Sequence, residues 1–287
     1  LISLNGYKDN LRDFYSTFKS TPSDKILNFI EYNNERQKGI IDNFNIDNVF
    51  VAEYNLPFKK LEFFNSLSSM YIKGRVGRRL DLLVMYNDIV LGILQVSSPI
   101  LNSKLSLYLK DRYKDFDFNL FNKKVYEVSI CIGTGIMTKF LSGKLIALIS
   151  VSKEIIETYN RKYNTDIEVA FTTSIYGKSS IYNRLRSFKY LGLTEGYHSI
   201  LTKKQVEEIK RKYYEHYPNR KITKTGLASH LIRLYDHLLK DNVELSFRIP
   251  KHKRGVYVIE DIYSIRDNLE YWYNRWFLPR RERIKNG

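Results

Sequence analysis

Apolar positions change their spacing several times along the chain. Ile26, Phe29 and Ile30, with Asn33, recur at helical spacing after Ser23, a helix-starting residue type, so 10–41 reads helical with a break at Thr21-Pro22. Residues 49–54 read as a short strand and 58–71 as helix. The runs 78–86 and 89–98 are β-rich and meet at Asn87-Asp88, a two-residue hairpin signal; Pro99 ends the second. Residues 102–124 are mixed and charged, a loop or short helix. A strand at 125–132 enters Gly133-Thr134-Gly135 and one long helix to 163. A strand at 167–174 and a turn at 176–179 follow. A helix is predicted over 179–191, closed by Gly192, then a last strand within 193–200. Residues 202–216 and 223–240 read as helices, 245–261 as a basic extended segment, and 263–284 as an amphipathic helix with a basic end.

The order β-β-β-α-β-α-β over 75–200 predicts an α/β core rather than a bundle or sandwich. Three segments are expected: 1–74, an N-terminal helical extension; 75–200, the core; and 201–287, a basic C-terminal helical region.

Composition sharpens this picture. The chain has 287 residues, 47 Lys and Arg against 31 Asp and Glu, and a net charge of +16, with 43% apolar residues. That describes a folded basic protein whose natural partner is a polyanion: DNA first, RNA second. Cys131 stands alone, which excludes a disulfide framework. His230 and His237 lack supporting carboxylates, so no metal site is predicted. No apolar run reaches the ~18 residues of a membrane span. LISLNGYKDN does not read as a signal peptide, and a cytoplasmic chain is expected. The 23 tyrosines and 16 phenylalanines fit either base-stacking surfaces or an AT-rich genome.

Several chemistries fail on spacing. Gly177-Lys178-Ser179 and Gly143-Lys144 lack the first glycine of a P-loop, having Thr172 and Thr138 instead. There is no Gly-x-Ser-x-Gly elbow. Asp81 faces Gln95 and Ser97 on the next strand, not the acid and lysine of a metal nuclease.

Three features remain. Gly133, Thr134, Gly135 and Ile136 form a strand–glycine turn–helix step that either cradles a phosphate or is a tight turn. The run Thr172–Arg186 is dense in hydroxyls and cations. On the predicted helix, Ile181, Leu185 and Phe188 make the buried stripe and Tyr182 and Arg186 a free polar face. Tyr176, Lys178, Ser179, Ser180, Tyr182 and Asn183 are the candidate catalytic groups, with Lys178 stabilising charge. Basic clusters offer phosphate contacts: Arg75, Arg78 and Arg79; Arg184, Arg186 and Lys189; Lys253 and Arg254; and Arg275, Arg280, Arg281 and Arg283 beside Trp272 and Trp276. A further cluster, Lys203, Lys204, Lys210, Arg211 and Lys212, studs a predicted helix.

The strand–glycine turn–helix–strand order ending in Tyr190-Leu191-Gly192-Leu193 resembles the GNAT (N-acetyltransferase-like) fold, whose glycine turn receives the pyrophosphate of acyl-CoA. Ile130 stands where that motif has Gln or Arg, so the resemblance bears on fold more than on acyl-CoA. The runs Val96-Ser97-Ser98-Pro99, Ser142-Gly143-Lys144-Leu145, Thr172–Leu185, Tyr190–Gly196, Arg254-Gly255-Val256-Tyr257 and Arg275–Arg280 resemble the DruA-like family of the Druantia anti-phage system, found also in phage and mobile-element proteins. The fold is also similar to that of the Mom-like phage enzymes, which modify adenine in DNA. The resemblance implies a DNA-acting protein of phage–host or mobile-element conflict that transfers a group to a nucleobase. The other reading is a binding module that has lost acyl-CoA.

Overall fold

A computed structural model describes residues 11–69, 71–72, 74, 77–195, 201–220, 228–250 and 252–286. Its frame is a seven-stranded sheet in the order β1-β2-β3-β4-β5-β7-β6. The strands are β1 (Val49–Glu53), β2 (Arg79–Tyr86), β3 (Ile89–Ser97), β4 (Val125–Gly133), β5 (Val169–Ser174), β6 (Phe188–Leu193) and β7 (Gly255–Ile259). Only β4 and β5 run parallel; every other pair is antiparallel. The β2–β3 hairpin turns at Asn87, in the left-handed region at φ 50°, as its residue type allows.

Period-two alternation gives the sheet two covered faces. Leu80, Leu82 and Val84 join Leu94, Val96 and Val128 under α6 (Ser142–Ile149), α7 (Lys153–Tyr163) and α10 (Ile265–Trp272). On the other face, α2 (Asp24–Ile40) and α3 (Lys60–Leu67) cover Leu83, Val90, Ile93 and Ile130. Helices α4 (Ser103–Arg112) and α5 (Phe118–Lys124) cover Val125, Val169, Phe171 and Val258. Residues 11–16 form α1, whose Leu11 and Tyr15 are buried. The mixed stretch 102–124 is thus two helices, each started by a side chain: Asn102 accepts from Leu105 N and Asp117 from Leu120 N.

The structure corrects two expected helices. The helix predicted over 179–191 does not form. Arg184 sits at φ 66°, which stops a helix, and residues 188–193 become β6 by pairing with β7. That partner comes from far along the chain, so local periodicity could not anticipate it. The long helix after β4 breaks twice: left-handed Leu141 at φ 60° separates a 3-10 turn (Gly135–Phe140) from α6, and extended Ser152 at ψ 154° separates α6 from α7. Of the strand expected within 193–200, Leu193 ends β6, Thr194 and Glu195 are not in a strand, and 196–200 lie outside the described residues. The sheet also reaches beyond 75–200 at both ends, taking β1 from one side and β7 from the other.

The C-terminal segment is a continuous helical arm: α10, a π turn (Tyr273–Phe277) and α11 (Leu278–Lys285). Trp272 and Phe277 are fully buried in the main core. Helices α8 (Lys203–His216) and α9 (Ala228–Lys240) pack on each other around a separate apolar cluster that includes Ile209, Tyr213, Tyr235 and Leu238.

Candidate functional site

β4 and β5 pair as far as Val128 and Thr172, then separate: β4 stays with β3 and β5 with β7. At this divergence the 179–183 segment lies across the first turn of α6. Ile181 sits over Gly143, 3.8 Å from where a Cβ would be. Lys144, only 4% exposed, fastens the two together. Its Nζ donates to the carbonyls of Ser180 (2.6 Å), Ile181 (2.9 Å) and Asn183 (2.8 Å) and lies 5.2 Å from the Trp276 ring centre. Burial, then the charges of Arg184 and Arg275, lower its ammonium to about 8.

That shift has a definite sign. Between pH 8 and 10.5 the folded chain holds fewer protons at this lysine than the unfolded one, so the cost of burying the charge is relieved as pH rises. Deprotonation also removes one donor from the carbonyl cage and the cation from Trp276. Tryptophan fluorescence is expected to titrate with a midpoint near pH 8 in the wild type and to lose that transition in Lys144→Met. A flat wild-type titration across pH 7–9 would show that the lysine keeps its ordinary ionisation.

The candidate catalytic residues are gathered only in part. Tyr257 bridges two of them: its hydroxyl accepts from Ser179 N (2.8 Å) and donates to Asn183 Oδ1 (3.2 Å). Tyr182, expected on a free polar face, is instead buried with Leu185. It stacks on Phe188 at 5.5 Å, with its hydroxyl 3.4 Å from Thr172 Oγ1. Burial raises the Tyr182 hydroxyl far above its ordinary ionisation, so it keeps its proton. Lys178 is exposed over the Tyr190 ring at 5.5 Å, and Ser180 is exposed. Tyr176 packs with the α1 cluster, Arg12 standing 5.8 Å from its ring centre. The cause is the lost helix: without its phase, Tyr182 and Lys178 face different surroundings.

The Gly133–Ile136 turn is occupied by the protein itself. Gln37, fully buried on α2, donates to Val90 O (2.7 Å) and Thr134 Oγ1 (3.0 Å), and its Oε1 accepts from Met137 N (3.1 Å). A Cβ on Gly135 would lie 2.0 Å from Asn34 Oδ1 and 2.5 Å from Gln37 Oε1. Ile136 follows, partly buried, in the 3-10 turn. Two amide side chains thus fill the space that a phosphate would need.

Of the arginines, Arg184 and Arg186 from one turn meet Arg275 from the C-terminal arm. Tyr271 contacts all of them: its hydroxyl donates to Arg184 O (3.4 Å), and the guanidinium centres of Arg186 and Arg275 lie 4.5 and 5.7 Å from its ring. Arg186 is also stacked on Tyr263 at 3.7 Å and donates to Asn268 Oδ1 (3.0 Å), a structural clamp. The neighbouring carboxylates are engaged elsewhere, Asp267 with Ser264 and Glu270 with Arg266. Among the described residues Arg184 and Arg275 form no ion pair.

The other predicted phosphate contacts lie elsewhere. Arg78 donates to Asn122 O (2.6 Å), and Arg79 lies 3.4 Å from Asp81. Lys189 stands over Tyr108, 5.8 Å away. Lys253 is exposed; Arg254 donates its backbone N–H to Thr194 Oγ1. Arg280 and Arg281, expected to be free, are half-buried. They tie the arm down by donating to Lys139 O (2.8 Å) and Asp42 O (3.1 Å). Arg283 is exposed, and Arg75 lies outside the described residues.

Sequence analysis weighed Asp81 and Gln95 only as a metal site; the structure makes them part of a polar row across β2, β3 and β4. Asp81 accepts from Gln95 Nε2 and from Lys60, and Ser129 Oγ donates to Gln95 Oε1 (2.9 Å). Glu127, buried on β4, accepts from Ile100 N at 3.2 Å. The available signal was polar residues inside otherwise apolar strands, at Asp81, Gln95, Glu127 and Ser129. Among the described residues no cluster of three or more His, Cys, Asp or Glu could hold a metal ion, and no helix is long and apolar enough to cross a membrane.

Fold and site define a basic α/β protein whose mostly antiparallel sheet has one parallel seam, with unpaired arginines close to it. The chain belongs to the DruA family, whose model, described as Druantia protein DruA, matches residues 51–270, from β1 to α10. A curated relative, the Druantia protein DruA of Escherichia coli (strain UMEA 4076-1), is 23% identical over 257 residues, covering 74% of this chain and 63% of the relative. The chain therefore spans less than two thirds of that protein. No solved structure matches it.

Proposed function

We propose that this protein binds nucleic acid, DNA first, through its phosphate backbone, as part of Druantia-type anti-phage defence. The observation that carries the reading is the concentration of Lys144, Arg184 and Arg275 at the β4–β5 divergence. Arg184 and Arg275 are close enough to lower the lysine's ionisation, and neither has a carboxylate partner among the described residues. Like charges held together weaken the fold until a polyanion neutralises them. Tyr271 and Trp276 beside Arg275 add aromatic faces suited to base stacking.

The test is a salt titration of DNA binding by fluorescence anisotropy. Wild-type affinity is expected to fall steeply between about 50 and 200 mM salt, since each phosphate contact contributes a log–log slope of about −0.9. Arg184→Ala with Arg275→Ala should flatten the slope by about 1.8 and weaken binding roughly tenfold. Both side chains are exposed, so stability should stay within about 0.5 kcal/mol. Salt-independent binding, or a double variant that binds like the wild type, removes the reading.

A second reading, group transfer to a nucleobase on a GNAT-like core, is favoured by the sheet: β4 and β5 form its one parallel pair and enclose the glycine turn and α6. In that reading the core spans β1 to β7 and 194–254 is an insertion, a revision of the 75–200 limits. Gln37 and Asn34 in the Gly133–Ile136 turn favour the cofactor-free version. Native mass spectrometry separates the two: a retained acyl-CoA mass supports transfer, and its absence after incubation with acyl-CoA supports a binding module.

A further inference from the structure

β6 and β7 are adjacent antiparallel strands, the arrangement of a simple hairpin, yet residues 194–254 lie between them in the chain. The two ends of this segment are fastened together: Thr194 N donates to Arg254 O (2.8 Å) and Arg254 N to Thr194 Oγ1 (3.0 Å). The segment carries its own apolar cluster, built by α8, α9 and Ile249. An element whose ends meet and whose core is its own is an appendage on a finished sheet.

Its outward chemistry is concentrated on α8. Ile209 and Tyr213 turn toward α9. The opposite side presents Lys203, Glu207, Lys210 and Tyr214 in one stripe at three- and four-residue spacing, flanked by Lys204 and Arg211. All six are exposed, Tyr214 by 46%. Among the described residues Lys203, Lys204 and Lys210 form no ion pair. Glu208 is engaged with Ser246, and Glu215 pairs with Arg211, so the cations of the face without an ion pair are the three lysines. The helix is anchored by a capping box, Thr202 with Gln205, so the lysines at its start are held in place.

We infer that the 194–254 appendage is a second, separate grip on duplex DNA, with the Lys203–Tyr214 face of α8 lying in the major groove. The inference rests on the nucleic-acid reading above and adds a site remote in sequence from Arg184 and Arg275. The dimensions fit. Lys203 and Lys210 are seven residues apart, about 10 Å along the axis, close to the ~12 Å width of the B-DNA major groove. Cations at both ends of the stripe can therefore meet phosphates on both groove walls. A-form RNA has a deep, narrow major groove that excludes a helix, so double-stranded RNA should be a poor ligand for this face.

The test uses the full chain and a 30-bp DNA duplex, with a matched RNA duplex alongside. Lys203→Gln, Lys204→Gln and Lys210→Gln together remove three cations, and glutamine keeps helix propensity. The DNA salt slope should flatten by about 2.7 and affinity should fall at least tenfold, while RNA binding changes little. Lysine methylation mapped by mass spectrometry should show Lys203, Lys204 and Lys210 protected by DNA. Thermal melting of the triple variant should match wild type, since all three residues are exposed. If the triple variant binds DNA like the wild type while the Arg184/Arg275 variant is weakened, the α8 grip is wrong and the nucleic-acid reading stands. If wild type binds neither duplex, both fall together. Equal losses on DNA and RNA overturn the assignment to the DNA major groove.

Discussion

Trp272→Ala is expected to cost about 3–5 kcal/mol and to lower the melting temperature by roughly 10 °C. Beside so many arginines, this tryptophan reads from sequence as a base-stacking surface. In the fold it is fully buried. Its ring meets Phe277 at 5.2 Å and Phe44 at 5.8 Å, and its Nε1–H donates to Leu141 O at 3.1 Å. One turn earlier, buried Asn268 donates to Leu148 O (3.1 Å) and Ser152 Oγ (2.9 Å), locking α10 onto α6. Alanine leaves a large cavity in the main core and removes the indole hydrogen bond to Leu141 O. Arg283→Ala on the exposed end of the same arm serves as control, with no change in melting. A Trp272→Ala protein that melts like the wild type would show that the arm is peripheral.

Gly255→Ala should be damaging for a different reason. A Cβ there would lie 2.2 Å from Gly177 O and 2.6 Å from Gly177 C, both backbone atoms, and 3.0 Å from Tyr190 Cε2. Side chains can swing away from such a contact, but a backbone turn held between β5 and β6 cannot. We expect a loss of about 3 kcal/mol, read by chemical denaturation. The turn is the one that carries Tyr176 and Lys178, so the substitution should also displace Ser179 from the Tyr257 hydroxyl. Gly39 is the contrast. It sits in α2 with nothing within 4 Å of its Cβ position, and Gly39→Ala should stabilise by about 0.5–1 kcal/mol. Equal denaturation midpoints for the two variants would refute the close approach at Gly255.

The DruA assignment and the polar row suggest different places to look for chemistry. The row Asp81–Gln95–Ser129 is saturated internally, with Lys60 and Arg79 on the carboxylate. Its groups neutralise each other. At the β4–β5 divergence the reverse holds, with cations outnumbering partners, and this contrast favours the divergence as the anion-binding region.

How much of this was legible in advance follows from the range of each interaction. The β2–β3 hairpin, β4 and β5, α8 and α9, and the α/β class depend on neighbours within a few residues, and period-two and three-to-four spacing displayed them directly. The net charge of +16 and the lone cysteine likewise follow from composition. The run from Thr172 to Gly196 carried the family resemblance without any structure. Tertiary structure alone decided the rest. Phe188–Leu193 is a strand because β7 arrives to pair with it, and that pairing outweighs the helical spacing of Ile181, Leu185 and Phe188. Tyr182 is buried because the turn, not a helix, sets its direction. The glycine turn is filled because Gln37, about a hundred residues earlier, finds its hydrogen-bonding partners there. Arg184 and Arg275 become neighbours through Tyr271. Contacts between residues this far apart leave no periodic trace in a single chain, since their cost and gain are settled only when the sheet closes.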